Sequence, residues 1–169
     1  MSIAPNIVKP IATSIRMDIV KRDPYWYYSN FSSGTDGWDA NNGTVAGNID
    51  SVGGQNDNLR FTINGTTGSA KQCRRITTLV VGIDYQITGE FYIPSSNTAI
   101  DGLRFLDGSA GINSVEYSSP TLDQWNQFVV SGTAGNPQFV VRGRDGGNDT
   151  IVGNGTDVFY IRNIEIREI

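Results

Sequence analysis

The sequence predicts an all-β protein, an antiparallel two-sheet β-sandwich (jelly roll) with an extended or partly helical N-terminal arm. Beyond about residue 40, apolar and polar side chains alternate in short runs, as in Leu59, Phe61 and Ile63 of NLRFTIN, and this period of two is typical of half-buried strands. Clusters of Gly, Asn, Asp and Ser separate the runs and predict turns. About eight such strands need two packed sheets to bury one face of each.

The predicted strands lie within a domain spanning residues 29–169. In chain order they are NLRFTIN, KQCRRITTLVV, DYQITGEFYI, GLRFLD, NSVEY, WNQFVVS, PQFVVRGR and DVFYIRNIEIREI. In the last strand Phe159 and Ile161 share one face, whereas Ile164 and Ile166 share the opposite face. A bulge near Arg162-Asn163 would reset the register and bury all four, so we predict one there.

Residues 1–28 form a separate arm with a different pattern. Its apolar residues recur every fourth position, which suits a helix, but Pro10 interrupts that stripe and the alternation from Ile11 to Ile19 fits a strand equally well. Both alternatives stay open. The arm is more apolar than a solvated tail, so we predict that it docks on a partner. The predicted docking residues are Ile7, Lys9, Ile11, Ile15, Arg16, Ile19, Lys21 and Arg22.

An aromatic run, Tyr25, Trp26, Tyr27 and Tyr28, follows the basic part of the arm and immediately precedes the domain. The preceding Asp23-Pro24 predicts an extended break in the chain. Exposed aromatic clusters more often mark protein contacts than sugar platforms. We therefore predict that this run is a joint, packing the end of the arm against the domain or a neighbouring subunit.

The composition excludes several classes of function. The chain has no histidine and one cysteine, Cys73, so Ser-His-Asp catalysis, histidine zinc sites and an internal disulfide are excluded. The net charge is −4, and residues 1–24 carry +2, which leaves −6 for the rest; nucleic-acid binding is not expected of such a domain. There is neither a membrane-spanning apolar run nor a signal-peptide layout. We therefore expect synthesis in the cytoplasm and no membrane partner.

Two kinds of functional site are compatible with the residue types present, and each competes with a structural role. Hydrolysis by paired carboxylates needs neither histidine nor metal, but Glu90 and Glu165 lie mid-strand on polar faces and most aspartates lie in turns. We therefore predict no catalytic residue and no enzymatic activity. Sugars could stack on aromatic rings, and the candidates for glycan stacking are Trp38, Tyr92, Tyr117 and Trp125. Trp38 and Trp125 fit core positions better, whereas Tyr92 and Tyr117 have polar neighbours typical of surface rings.

Several segments of residues 29–169 resemble the carbohydrate-binding-module-like jelly roll of the CenC type, which is close to galactose-binding-like sandwiches. The resemblance rests on the segment from Asn30 to Trp38, VGIDYQITGEFYIPSSN, the Trp after a turn in LDQW, and the closing GNGTDVFYIRNIEI. It implies the sandwich fold. It also implies a position for a structural calcium ion, for which Asp157 and Asn163 are the weakly matching candidates; no other cofactor is expected.

The segments YIPSSN and GNGTDVFYIRN and the leader KPIATSI also look like parts of tailed-phage virion proteins. This resemblance implies a capsid decoration (cement) protein on the virion surface. Its partner would be the major capsid protein or another virion protein, and it would form a homo-oligomer. The alternative is a carbohydrate-binding module, or a tail-fibre or receptor-binding accessory, that holds host or surface polysaccharide.

Overall fold

A computed structural model describes residues 26–48, 50–76, 78–107 and 114–169. Within these ranges the chain forms eleven β-strands and no helix. One sheet contains β1 (Trp26–Ser29), β3 (Gly43–Gly47), β4 (Leu59–Ile63), β6 (Asp84–Tyr92), β9 (Trp125–Thr133) and β11 (Val158–Glu168). The other contains β2 (Trp38–Asn41), β5 (Gln72–Arg75), β7 (Gly102–Asp107), β8 (Val115–Tyr117) and β10 (Phe139–Arg144). No helix in the described ranges is long and apolar enough to cross a membrane.

The two sheets are antiparallel and pack face to face. The strand order is β3-β4-β11-β6-β9 in the six-stranded sheet and β2-β5-β10-β7-β8 in the five-stranded sheet. The first strand, β1, pairs with the second half of β11, on the side where β4 pairs with the first half. The predicted antiparallel two-sheet sandwich is therefore confirmed.

The predicted bulge in the last strand is confirmed. The register of β11 against β6 shifts between Arg162 and Glu165, and Asn163 takes a left-handed conformation with φ 51°. Asparagine tolerates this backbone region better than most residues. The shift lets Ile161 and Ile164 both point into the core, where each is fully buried.

Aromatic rings fill the space between the sheets. Phe105 of β7 stacks on Phe128 of β9 with ring centroids 4.0 Å apart, and Phe139 of β10 lies 6.4 Å from Phe105. Such a ring contributes about 1.5–3 kcal/mol on burial, so this cluster joins the sheets across the core. Cys73 is also fully buried, and burial raises the pKa of its thiol.

Two boundaries differ from the sequence-based expectation. The strand predicted for KQCRRITTLVV ends at Arg75, because the chain then turns so that the backbone N–H groups of Thr78 and Leu79 both donate to the carbonyl of Pro137. Trp26 already pairs with β11, three residues before the expected domain start at residue 29. The eight predicted docking residues and Tyr25 lie outside the described ranges.

Lys71 organises the connection between β4 and β5 from inside. Its side chain is 0% exposed, and the ammonium donates to the side-chain and backbone oxygen atoms of Asn64 and to those of Thr66. All these acceptors are neutral. Since a buried charge is costly unless hydrogen bonds replace its water, this shell of oxygen atoms is what allows Lys71 to be enclosed.

Candidate functional site

Polar side chains form rows on the outer surface of the five-stranded sheet, here called the arginine face. Strand alternation places the outward side chains of neighbouring strands in rows. The register of one row joins Asn41 to Gln72, Gln72 to Arg142, Arg142 to Arg104 and Arg104 to Glu116. Arg74 of β5 and Arg144 of β10 lie two positions away from this row on their own strands. Four of the guanidinium groups of an acidic protein are therefore gathered on one surface.

The arginine face is held rigid by hydrogen bonds between its own side chains. Arg142 donates from Nε and Nη2 to Oε1 of Gln72, at 3.1 and 2.9 Å. Arg74 is paired with Asp39 at 2.7 Å. Arg104 donates from Nη2 to the Ser114 hydroxyl at 3.1 Å. Arg144 donates from Nη2 to the Glu116 carboxylate at 3.2 Å. These bonds restrict the positions of the arginine side chains.

Asp149 lies where three of these arginines converge. Its carboxylate accepts from Nη1 of Arg104 at 3.4 Å, from Nη1 of Arg142 at 3.3 Å and from Nη1 of Arg144. Partial burial of the Asp149 carboxyl opposes its ionisation, but the hydrogen bond from Arg144 and the charges of the three arginines outweigh burial, and its pKa lies below the ordinary value. The side chain keeps 30% of its surface exposed.

The outer surface of the six-stranded sheet carries aromatic rings instead. Tyr92, Trp125 and Tyr160 form one cluster. The ring centroid of Tyr92 lies 5.6 Å from that of Trp125 and 6.1 Å from that of Tyr160. The Arg162 guanidinium lies 4.2 Å from the Trp125 ring centroid, and the indole N–H of Trp125 donates to the Val52 carbonyl at 3.1 Å. This cluster is thus partly covered by its own neighbours.

A second aromatic group on this sheet, here called the aromatic pair, consists of Trp26 and Tyr28 of β1. Their ring centroids are 6.2 Å apart and their planes differ by 6°. Trp26 donates from Nε1 to Glu165 at 2.9 Å, and the Tyr28 hydroxyl donates to the Asn163 side chain at 3.2 Å. Trp26 is 62% exposed and Tyr28 is 46% exposed. The hydrogen bonds from Trp26 and Arg167 lower the pKa of Glu165.

The candidates for glycan stacking do not come together at one site. Trp38 is 3% exposed and packs edge-on against Phe31 and Phe139, so it is a core ring, as its position favoured. Tyr117 was predicted to be a surface ring, and this is wrong, because it shares the inward face of β8 with Val115 and contacts Phe105. Tyr92 lies on an outer surface as expected, on the sheet opposite the arginine face. Trp125 was expected at a core position, and this is wrong, because its ring lies on the same outer surface beside Tyr92 and Arg162.

The two calcium candidates do not form a shared site. Oδ2 of Asp157 accepts three backbone N–H groups, and its Oδ1 accepts from Asn154. Asn163 lies six residues further along β11, which is about 20 Å at the usual rise per residue. Asp157 therefore serves as a hydrogen-bond acceptor for the loop at residues 98–100. The described residues contain no group of three or more metal-ligating side chains of the carboxylate, thiolate or imidazole type.

Sequence reasoning missed the arginine face, although the signal was present. In FVVRGR, LRF and CRR the arginines alternate with core residues, so a period of two already places them outward. Which strands lie side by side depends on long-range pairing, and that information is absent from local patterns. Only the register shows that the arginines meet.

Comparison with known proteins supports the fold. No protein-family profile matches the chain, and no curated protein matches its sequence. Among solved structures, the CBM22-1 xylan-binding domain of Paenibacillus barcinonensis Xyn10C has a TM-score of 0.54 at 11% identity, covering 85% of this chain and 93% of that one. The C-terminal family 22 carbohydrate-binding module of Clostridium thermocellum Xyn10B has a TM-score of 0.54 at 17% identity, covering 84% of this chain and 92% of that one.

A third similar structure is an adhesin domain. The K1 cleaved adhesin domain of Lys-gingipain from Porphyromonas gingivalis W83 has a TM-score of 0.55 at 15% identity, covering 84% of this chain and 97% of that one. At such identities the likeness concerns the fold. The chain has a β-sandwich of the carbohydrate-binding-module type, and the resemblance read from the sequence is confirmed at that level.

Proposed function

We propose that this chain is a non-enzymatic virion structural protein, a capsid decoration protein that docks through its N-terminal arm and displays the sandwich on the particle surface. The observation that carries the proposal is the aromatic pair. Trp26 and Tyr28 are the outward residues of β1 at the end of the arm, and they expose large ring surfaces. Exposed aromatic surface of this kind marks protein contacts.

The aromatic pair is suited to burial against a protein partner. Its polar atoms, the indole N–H and the phenol hydroxyl, are already bonded to Glu165 and Asn163. A partner covering the rings would therefore remove apolar surface from water without leaving unbonded polar groups, and burial of such groups is the usual cost of association. The ladder between β1 and β11 holds the rings in place beforehand.

Docking on the major capsid protein or another virion protein would continue into the arm. The arm's isoleucines would supply apolar contacts, and Lys9, Arg16, Lys21 and Arg22 would pair with acidic groups of the shell. Assembly as a homo-oligomer would multiply weak contacts into stable attachment. We expect no enzymatic activity, because the mid-strand Glu90 and Glu165 form ion pairs with Arg162 and Arg167, at 2.8 and 2.6 Å respectively.

A truncation separates docking from folding. Removal of residues 1–25 leaves β1 intact, so the truncated chain should keep the unfolding temperature of the full chain but lose co-sedimentation with purified particles. The double substitution of Trp26 and Tyr28 by Ala should weaken co-sedimentation while the arm is present. Val152→Ala is the matched control, because Val152 is also 62% exposed but lies in a loop. Full binding by the truncated chain would refute arm docking.

Polysaccharide binding is the second candidate, favoured by the arginine face. Its row of guanidinium, amide and carboxylate groups offers the donors and acceptors that hydroxyl-rich ligands need. The similar module of Xyn10B is described as binding ligand in a cleft, and that of Xyn10C as xylan-binding. Affinity electrophoresis against a polysaccharide panel tests the idea, with Gln72→Ala as the variant. An unchanged mobility in every gel would exclude this second function.

A further inference from the structure

We propose that the arginine face is an anion receptor whose natural ligand is an acidic polysaccharide, and that the Asp149 carboxylate occupies the anion position until such a ligand displaces it. This inference rests on the second candidate function, polysaccharide binding, and names its ligand class. The shared chemistry is a carboxylate or sulfate group carried on a sugar chain. Arg104, Arg142 and Arg144 are the receptor residues.

The three guanidinium groups are positioned without help from Asp149. Each uses another nitrogen for a separate anchor: Arg142 on Gln72, Arg104 on Ser114 and Arg144 on Glu116. Each therefore directs its Nη1 to one common point. When the Asp149 side chain turns away, three charged donors remain in place around a position of anion size. Such preorganised arginine donors favour planar, multidentate recognition of carboxylate and of similar oxyanions.

Arg144 is the most deeply enclosed of the three receptor arginines. Its side chain is only 9% exposed, and its Nε has no hydrogen-bond partner among the described residues. A buried donor without an acceptor costs free energy. This donor lies on the same edge of the guanidinium as Nη2, which faces Glu116, so it is separate from the Asp149 position at Nη1. At Nη1, a sulfate group or a uronate carboxylate with its ring hydroxyls brings more oxygen atoms than one aspartate.

Asp149 is placed so that it can leave. It lies on a two-residue segment between two bridges, Asp145 with Asn148 and Gly68 with Ile151. These bridges hold the loop at both ends, so rotation of the Asp149 side chain frees the receptor while the fold stays unchanged. Its exposed fraction of 30% means that a ligand can reach the position from solvent.

The local charge also favours an anion. Around the convergence point, three arginines face Asp149 and Glu116, which leaves a net positive site in a domain that is otherwise negative. Removal of the Asp149 charge raises this local charge further. A neutral polysaccharide gains nothing from that change, which is what distinguishes the two ligand classes.

The test compares the full chain with Asp149→Asn by affinity electrophoresis and calorimetry. The probes are polygalacturonate for carboxylate, dextran sulfate for sulfate, and xylan as a neutral chain. Asp149→Asn should bind at least one acidic probe about tenfold more tightly than the unsubstituted chain at low salt, with the gain shrinking as salt rises. Xylan affinity should not change. Asp57→Asn is the control, because it alters net charge equally at an exposed loop residue.

Each outcome decides something. An equal gain in Asp57→Asn, or no gain in Asp149→Asn, overturns the receptor. Binding of xylan alone, abolished by Gln72→Ala, overturns the receptor but keeps polysaccharide binding. No binding of any probe overturns both. If Asp149→Asn fails to fold, titration of the unsubstituted chain with oligogalacturonate and with a sulfated oligosaccharide replaces it; backbone amide shifts must appear at residues 145–151, and their absence with both ligands overturns the proposal.

Discussion

Replacement of Asp157 by Ala should destabilise the sandwich strongly. Asp157 is 4% exposed, and its Oδ2 lies 2.8, 2.6 and 3.1 Å from the backbone nitrogen atoms of Thr98, Ala99 and Ile100. Each hydrogen bond to a charged acceptor contributes about 1.5–3 kcal/mol. Since the three share one oxygen atom, we expect a total loss of about 3–6 kcal/mol, a large part of the stability of a domain of this size.

The assay is urea unfolding followed by tryptophan fluorescence, with Asp57→Ala as the control. Asp57 lies in an exposed loop, where such a change typically alters the free energy of unfolding by less than about 0.5 kcal/mol. The loss in Asp157→Ala should be the same with EDTA and with added Ca²⁺, because N–H groups, rather than a metal, occupy the carboxylate. A loss below about 1 kcal/mol, or one seen only with Ca²⁺, would refute this role.

Three further results are expected. Lys71→Met should lower the free energy of unfolding by about 1–3 kcal/mol, because the oxygen atoms of Asn64 and Thr66 lose their donor; denaturation showing equal or greater stability would contradict this. The folded-state pKa of Asp149 is lowered, so its stabilising contribution is present above its unfolded pKa and is lost as pH falls through the folded value. The difference in free energy of unfolding between the unsubstituted chain and Asp149→Asn should therefore shrink below about pH 4. A difference that stays constant as pH falls would disprove this contribution of Asp149. Phe105→Ala should lower the free energy of unfolding in urea by about 3–5 kcal/mol, because it removes the ring at the centre of the aromatic cluster. A loss below about 1 kcal/mol would mean that this cluster does not join the sheets.

The fold was predictable because its signals are local. Alternation in NLRFTIN and DYQITGEFYI identifies half-buried strands, and the change of face between Ile161 and Ile164 was enough to locate the bulge. The short strands β1, β2 and β3 were missed, since their aromatic, Gly and Asn residues carry no clear alternation. Tyr117 was placed outside from its polar neighbours, whereas its spacing from Val115 gives the correct inward face.

The sites were less predictable because they depend on pairing between distant strands. The composition of residues 25–28 predicted a joint, which stays a prediction, whereas the alignment of the aromatic pair on β11 follows from a ladder between the first and last strands. The arginine face needs the neighbours of β5, β7 and β10 to be known. Asp157 was associated with calcium, whereas the loop at residues 98–100, far away in sequence, supplies its N–H partners.

The central claim, attachment to a virion through the N-terminal arm, is tested most directly by the stoichiometry of this chain on purified particles. Quantitative mass spectrometry would measure the ratio of this chain to the major shell protein, for the full chain and for the chain without residues 1–25, each added to particles that lack it. Arm docking predicts a fixed, saturable ratio for the full chain and a ratio near zero for the truncated chain. Equal ratios for both chains, or no saturable binding of the full chain, would contradict it.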